Sequence, residues 1–546
     1  MSDQVSESHP SKRPQRPRAR AADTPAPKES WIEQTSSFVG FFIYLLVLKT
    51  FFLPLFIIPT GSMAETLYGE HAANTCPNCG TEYAVGWQLR GAWPWSSPCL
   101  RCPNCRWMQF RPLGPTDGTP RPPLLASEKL PARLRPSAGD RIFVHGWLFD
   151  RPFAGLDGLG PARWDVVVFK VPTDGQTNYI KRLIGLPGEK IEIINGDIFV
   201  NDQIARKTRD AQRALWFPYY DHDHAPREPS ARAAYYPRWV ALDDARAWSG
   251  LTQPAARTLQ YDGLQHARSE IQFATDPTDP QAPGQVKDIY AYNDPALLLH
   301  TVSDVRLSAE VQFAGGATTG YVELSTTKGT HRFIARVDAA GQVTVEHQSG
   351  RNGPRESWST QQSANSSAPI HLALSHVDGL VRVEVDGQTV FESTPAQYQL
   401  TPQDARQVAA NNSPPVLRIA AENTRAALRH VLIERDVYYT SEVHGGERVA
   451  VGLQDRPIQL GPDEYFVLGD NSPNSLDGRF AFSRADQEPV GPHLQAELER
   501  GVFHAGTVPA DQLIGRAFFV YWPGFLPLTP NGLNVLPDLG RTRWIR

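Results

Sequence analysis

NYIKRLIGLPGEKIEIINGDIFVND, residues 178–202, reads as three short extended runs separated by turns. β-Branched and aromatic residues fill the runs, and Pro187-Gly188 and Asn195-Gly196 punctuate them. The same texture recurs in GDRIFVHGW from Gly139, WDVVVFKVP from Trp164, DEYFVLGDNSPNSLDGRF from Asp463 and LIGRAFFVYWP from Leu513. Helical period is confined to one N-terminal stretch, so the fold is expected to be mainly β. In the first run Tyr179, Lys181 and Leu183 project to one face, and Ile180, Arg182 and Ile184 to the other. Lys181 therefore has apolar company, while Arg182 is expected to stay solvated. A lysine that loses its charge on burial can act as general base for a serine.

A serine with the right setting lies upstream, in IPTGSMAETL from Ile58. It follows FVGFFIYLLVLKTFFLPLFII, the 21 residues from Phe38 to Ile58. That run is long enough to span roughly 30 Å of hydrocarbon as a helix. A cleaved signal peptide is the rival reading, but its apolar core is usually shorter and PTGSM is a poor cleavage site. A transmembrane helix over 36–58 is expected, behind a disordered, cytoplasmic tail at 1–30 that carries the basic cluster KRPQRPRAR. Basic residues precede the span and the next is Arg90, which places the remainder outside the cytoplasm. Ser62 then stands just beyond the bilayer.

At 546 residues the chain exceeds one ordinary domain, and its net charge of -4 gives no sign of nucleic-acid binding. All five cysteines fall between 76 and 105. Two CPNC knuckles, Cys76/Cys79 and Cys102/Cys105, have the pattern of a ribbon that holds structural zinc over 76–110, with Cys99 as a spare. Disulfides are the alternative in an oxidising compartment. A closed set of four thiolates leaves no open position, so this metal has no catalytic part. After Pro-rich 112–136, the strand-like blocks are interrupted by a long segment at 206–447. From about 260 to 440 it alternates like a β-sandwich, as in Val381, Val383 and Val385 between Arg382, Glu384 and Asp386. It looks concanavalin- or laminin-G-like. DHDH at 221–224 is read as a solvated loop.

Five blocks in order behind a membrane anchor, IPTGSMAETL, GDRIFV, YIKRLIGLPGEKIEI, GDNSPNSLDGR and LIGRAFFVYWP, resemble the type I signal peptidases, membrane-bound Ser/Lys endopeptidases. The resemblance covers under half of the chain and implies a split peptidase domain over 59–75, 137–205 and 448–530. It makes Ser62 the nucleophile and Lys181 the general base. Thr60 takes the place of an oxyanion-supporting serine, Ser475 that of a serine bonding the lysine, and Asp477 and Arg479 that of a structural pair. Asp470 and Asn471 shape the same loop, and Ile58, Leu67 and Ile180 line small-residue pockets. Glu65, Ser472, Pro473 and Gly478 depart from the usual pattern.

The implied activity is removal of signal peptides from secretory preproteins, after small-x-small residues, at the cytoplasmic membrane and without a catalytic cofactor. The lipid bilayer is the other expected partner. The alternative is a catalytically silent anchor whose sandwich binds glycans or surface partners. A third reading, self-cleavage like that of the SOS-repressor autoproteases, fits poorly with a membrane span. Because all five blocks lie outside 206–447, that segment is expected to be separable from activity.

Overall fold

A computed structural model of the chain describes residues 31–86 apart from 48, 50 and 51, then 100–110, 135–149, 160–227 and, with short breaks, 238–546. The expected tail at 1–30, Cys99 and most of the Pro-rich connection lie outside the described residues. The chain forms two compact units, 1–50 and 51–546.

The first unit contains the helix Trp31–Val47, whose large side chains, among them Phe38, Phe41 and Ile43, are exposed. Its 17 residues rise about 26 Å. Among the described residues no helix is long and apolar enough to cross a membrane. The expected helix over 36–58 is corrected at its far end, because Leu55–Ile57 is a strand antiparallel to Asp140–His145. Pro54 supplies the reason: it lacks an N–H and biases its predecessor away from helix.

In the second unit the main sheet runs, edge to edge, Leu55–Ile57, Asp140–His145, Leu513–Pro523, Val166–Lys170, Asn178–Gly185, Glu464–Leu468 and Val508–Pro509. Arg543–Trp544 also pairs with Leu513–Pro523, so the expected limit at 530 is too early. Asn178–Gly185 is central and its residues 181–185 are buried on both faces. A smaller sheet joins Lys190–Ile194, Asp197–Val200, Gln203–Ile204 and Ile458–Gln459. Asn195-Gly196, both with positive φ, makes the tight turn between its first two strands, a conformation that Asn and Gly accept readily.

Between these strands in chain order come two larger sheets that share one apolar core. Leu307, Leu372 and Leu428 enter it from one side, and Val322, Phe333 and Ile419 from the other. The sandwich starts well before 260, since Phe217–Asp221 and Arg238–Ala241 are already strands of it. Trp239 and Tyr220 are core residues, which accounts for the aromatic composition of that stretch. Where the sandwich meets the small sheet, Lys328 Nζ lies 3.1 Å from Asp197 and 2.5 Å from Asp304. Lys207 Nζ lies 2.7 Å from both Asp378 and Asp436. Asp197, Asp304 and Asp378 come close enough together to hold a cation, but lysine ammonium groups already lie against them.

Candidate active site and cysteine cluster

The serine loop is fixed at both ends on Asp140. Ile58 N–H donates to Asp140 O, Asp140 N–H to Tyr68 O, and Tyr68 N–H to the Asp140 carboxylate. Within it, Met63, Ala64 and Leu67 are fully buried and Ser62 is half-buried. Ile58, Met63 and Leu67 pack with Ile142, Val144, Val166 and Val168, and Ile180 closes the cluster with part of its surface open. Of the expected pocket residues, then, two are core and Ile180 is half-buried against them. Thr60 is exposed.

Lys181 reaches this loop from the central strand. Its Nζ donates to Ser62 Oγ at 2.7 Å and to Ile180 O at 3.1 Å. The lysine is 3% exposed, and burial brings its pKa down from 10.5 to about 8. Asp477 and Asp470 oppose the shift and Arg479 adds to it. Desolvation wins because each nearby carboxylate already has its own cation. Arg182 forks onto Asp470 at 2.8 and 2.7 Å, and Arg479 onto Asp477 at 2.9 and 2.8 Å, with all four side chains fully buried.

Arg182 is therefore not solvated. Strand alternation predicts which face a side chain takes but not that both faces are covered. Its third nitrogen donates to Trp164 O at 2.7 Å. Ser475 also differs from expectation: its Oγ is buried with no hydrogen-bond partner, so it does not hold the lysine amine here. Ser472, one of the departures, accepts from Arg479 at 2.7 Å and from the Thr440 amide at 2.8 Å. Glu65, another, is a carboxyl that burial holds above its ordinary range against the pull of Arg435.

Several contacts to the loop come from Asn471, already expected to shape it, and from residues that the sequence left unassigned. Asn471 N–H donates to Ser62 O at 3.1 Å and its side-chain amide to Gly61 O at 2.9 Å. Asn293 exchanges two hydrogen bonds with Asn471, at 2.6 and 2.7 Å. Tyr290 OH donates to Asp470 O at 2.9 Å, and Tyr292 OH to Glu70 O at 2.6 Å. The Tyr292 ring lies so near Gly61 that a Cβ there would sit 1.8 Å from it, which only glycine avoids. At the end of the chain, Arg543 donates to Thr66 O at 2.6 Å and pairs with Asp140 at 3.1 Å. The aromatic run IYAYN at 289–293 was the one visible signal for the first group. Tyr290, Tyr292 and Asn293 belong to 206–447, so that segment is not separate from the site.

Cys76, Cys79, Cys102 and Cys105 converge with their sulfurs all within 4.8 Å of one another, and none forms a disulfide. Cys76–Cys105 and Cys79–Cys102 Sγ separations are 3.5 and 3.6 Å. Four ligands about 2.3 Å from one tetrahedral ion stand at nearly that spacing, so the group fits zinc. The knuckle asparagines grip the sandwich. Asn78 accepts from Arg227 N–H, and Asn104 donates to Asp221 O and His224 O while accepting from Asp221 N–H. DHDH is thus a held turn, with His222 buried against Tyr220 OH at 2.9 Å.

A family model described as "Signal peptidase, peptidase S26" matches residues 138–233 and 383–522. Signal peptidase I of Rickettsia typhi (strain ATCC VR-144 / Wilmington) and that of Rickettsia prowazekii (strain Madrid E) are each 52% identical over 48 residues. That stretch is 9% of this chain and 18% of each relative's length. Among solved structures, carbohydrate binding module CBM66 from Bacillus subtilis aligns at 13% identity and a TM-score of 0.23, covering 36% of this chain and 94% of that one. Bacillus licheniformis beta-glucanase aligns at 8% and 0.23, covering 37% and 99%.

Proposed function

We propose that the chain is a membrane-bound serine endopeptidase of the signal peptidase I type, which cuts exported preproteins after small-x-small residues. The observation that carries the reading is the buried Lys181 amine 2.7 Å from Ser62 Oγ. An amine whose pKa is brought to about 8 is free base often enough near neutrality to take the serine proton. Ser62 Oγ then attacks the scissile carbonyl, and Lys181, now charged, gives its proton to the leaving amine. Water, deprotonated by the same lysine, releases the acyl group. Ser62 N–H and the Thr60 hydroxyl are the donors assigned to the developing oxyanion. Ser475, a buried hydroxyl without a partner, is assigned to the amine during turnover, and Asp477 and Arg479 to the rigidity of the wall behind it.

Ile180, part of whose surface is open above buried Ile58 and Leu67, is assigned as the apolar contact for small side chains. The exposed apolar helix Trp31–Val47 supports contact with lipid, with the N-terminus cytoplasmic and the peptidase outside. Zinc on the four cysteines holds the knuckles together and takes no part in the chemistry.

The test is cleavage, in detergent, of a preprotein whose signal peptide ends in Ala-x-Ala. Wild type is expected to cut at that bond, and Ser62→Ala and Lys181→Met to lose at least about 10³-fold in kcat. Folded wild-type protein that leaves the substrate intact, or variants that cut as fast, would overturn the reading.

A further inference from the structure

We infer that Asn293, contributed by the segment that carries the sandwich, is a positioning residue for the oxyanion donor at Ser62. The inference rests on the peptidase reading. Gly61 C=O and Ser62 N–H belong to one planar peptide unit and point in opposite directions, so whatever fixes the carbonyl aims the N–H. Asn471 fixes it together with Ala64 N–H, which donates to the same oxygen at 3.0 Å: the Asn471 side-chain amide lies on Gly61 O at 2.9 Å and its backbone N–H on Ser62 O at 3.1 Å. Both carbonyls that flank the nucleophile are thereby held by one residue.

Asn471 performs this only with its NH2 group toward Gly61. Turned over, it would set an oxygen against an oxygen. Asn293 decides the orientation: its Nδ2 donates to Asn471 Oδ1 at 2.6 Å, and its Oδ1 accepts from Asn471 Nδ2 at 2.7 Å. A reciprocal amide pair reads the same if both partners turn together. Asn474 removes that freedom by donating to Asn293 Oδ1 at 3.2 Å. Asn293 itself is buried, and the two tyrosines beside it anchor its segment to the same loops through Asp470 O and Glu70 O. The chain thus has a three-asparagine relay, 474 to 293 to 471, which ends on the peptide that presents Ser62 N–H. Among the described residues no hydrogen bond joins Asn293 to Lys181, so the relay acts on where the oxyanion is received and not on how the serine is activated.

The experiment compares wild type, Ser62→Ala, Asn293→Ala, Asn471→Ala and the Asn293→Ala/Asn471→Ala double variant on one Ala-x-Ala preprotein. Asn293→Ala is expected to lower kcat by about 10–100-fold, within the range for a misaimed oxyanion donor. KM stays within about twofold and the acid limb of the pH profile does not move. The double variant is expected to be no slower than Asn471→Ala, because the first residue acts through the second. A folded Asn293→Ala with kcat within twofold of wild type, losses that multiply, or a shifted acid limb would overturn the inference. If Asn293→Ala does not fold, Asn293→Asp is read in its place. It keeps both acceptor bonds and loses the donation to Asn471, so an intermediate fall in kcat supports the relay and a wild-type kcat rejects it. Failure of the peptidase reading looks different: wild type and Ser62→Ala would then be equally inactive, or equally active.

Discussion

Lys181 is thermodynamically misplaced, and the peptidase reading turns on that misplacement. Burial brings its pKa from 10.5 to about 8, so the folded chain holds that proton less tightly than the unfolded chain does. The unfolded state binds more protons between about pH 8 and 10.5, and stability rises with pH through that window; below it the penalty is present in full. Two outcomes are expected. Cleavage should climb with pH to a plateau above about 8, the limb of an amine that works unprotonated, and a rate that falls across pH 7–9 would contradict this. Lys181→Met, though inactive, should be more stable than wild type at pH 7 by about 1–3 kcal/mol, since it removes a buried ammonium. A lower melting temperature for that variant would count against the account. The sequence conveyed this lysine's apolar surroundings through simple alternation. It did not convey the burial of Arg182, because that depends on Asp470, 288 residues away in sequence.

At the scale of elements, the loop at 469–479 is ordered by buried ion pairs. Asp470→Asn leaves the Arg182 guanidinium without its countercharge, and the expected loss is about 3–5 kcal/mol in denaturant unfolding. A change below about 1 kcal/mol would mean that water or another group takes over. The cysteine knuckles make a second prediction. The purified protein should carry about one zinc per chain by atomic absorption, and Cys102→Ser should lose it, whereas a disulfide-linked protein would carry none. The convergence of the four cysteines was legible because C-x-x-C spacing is a local signal. The grip of Asn78 and Asn104 on residues 221–227 was not, as nothing in CPNC says what its asparagines will meet. The helix boundary was misjudged for a similar reason: an apolar run looks continuous, and only the pairing of Leu55–Ile57 with Asp140–His145 shows where it becomes sheet.

Across the unit 51–546, the sandwich and the sheets that carry Ser62 and Lys181 interlock. Tyr290, Tyr292, Asn293 and Thr440 all touch the loops around Ser62, and Arg479 donates to Thr440 O at 2.9 Å. Replacing 206–447 with a short linker is expected to reduce cleavage at least about 10-fold even in folded protein, in keeping with lost oxyanion positioning. Unchanged cleavage would show those contacts to be idle. The mainly β character was readable from the short punctuated runs, whereas the interlocking was not, since it consists of pairings between distant segments. Those distances have a consequence for biosynthesis. The bond from Asn471 to Gly61 closes over 410 residues. At about 5–20 residues per second, the ribosome delivers position 471 roughly 20–80 s after position 61. Throughout that interval the serine is made but has no wall behind it and no aimed N–H beside it. On the peptidase reading, a nascent chain of this build is born latent, and cleavage begins only when the late loop arrives to close the site.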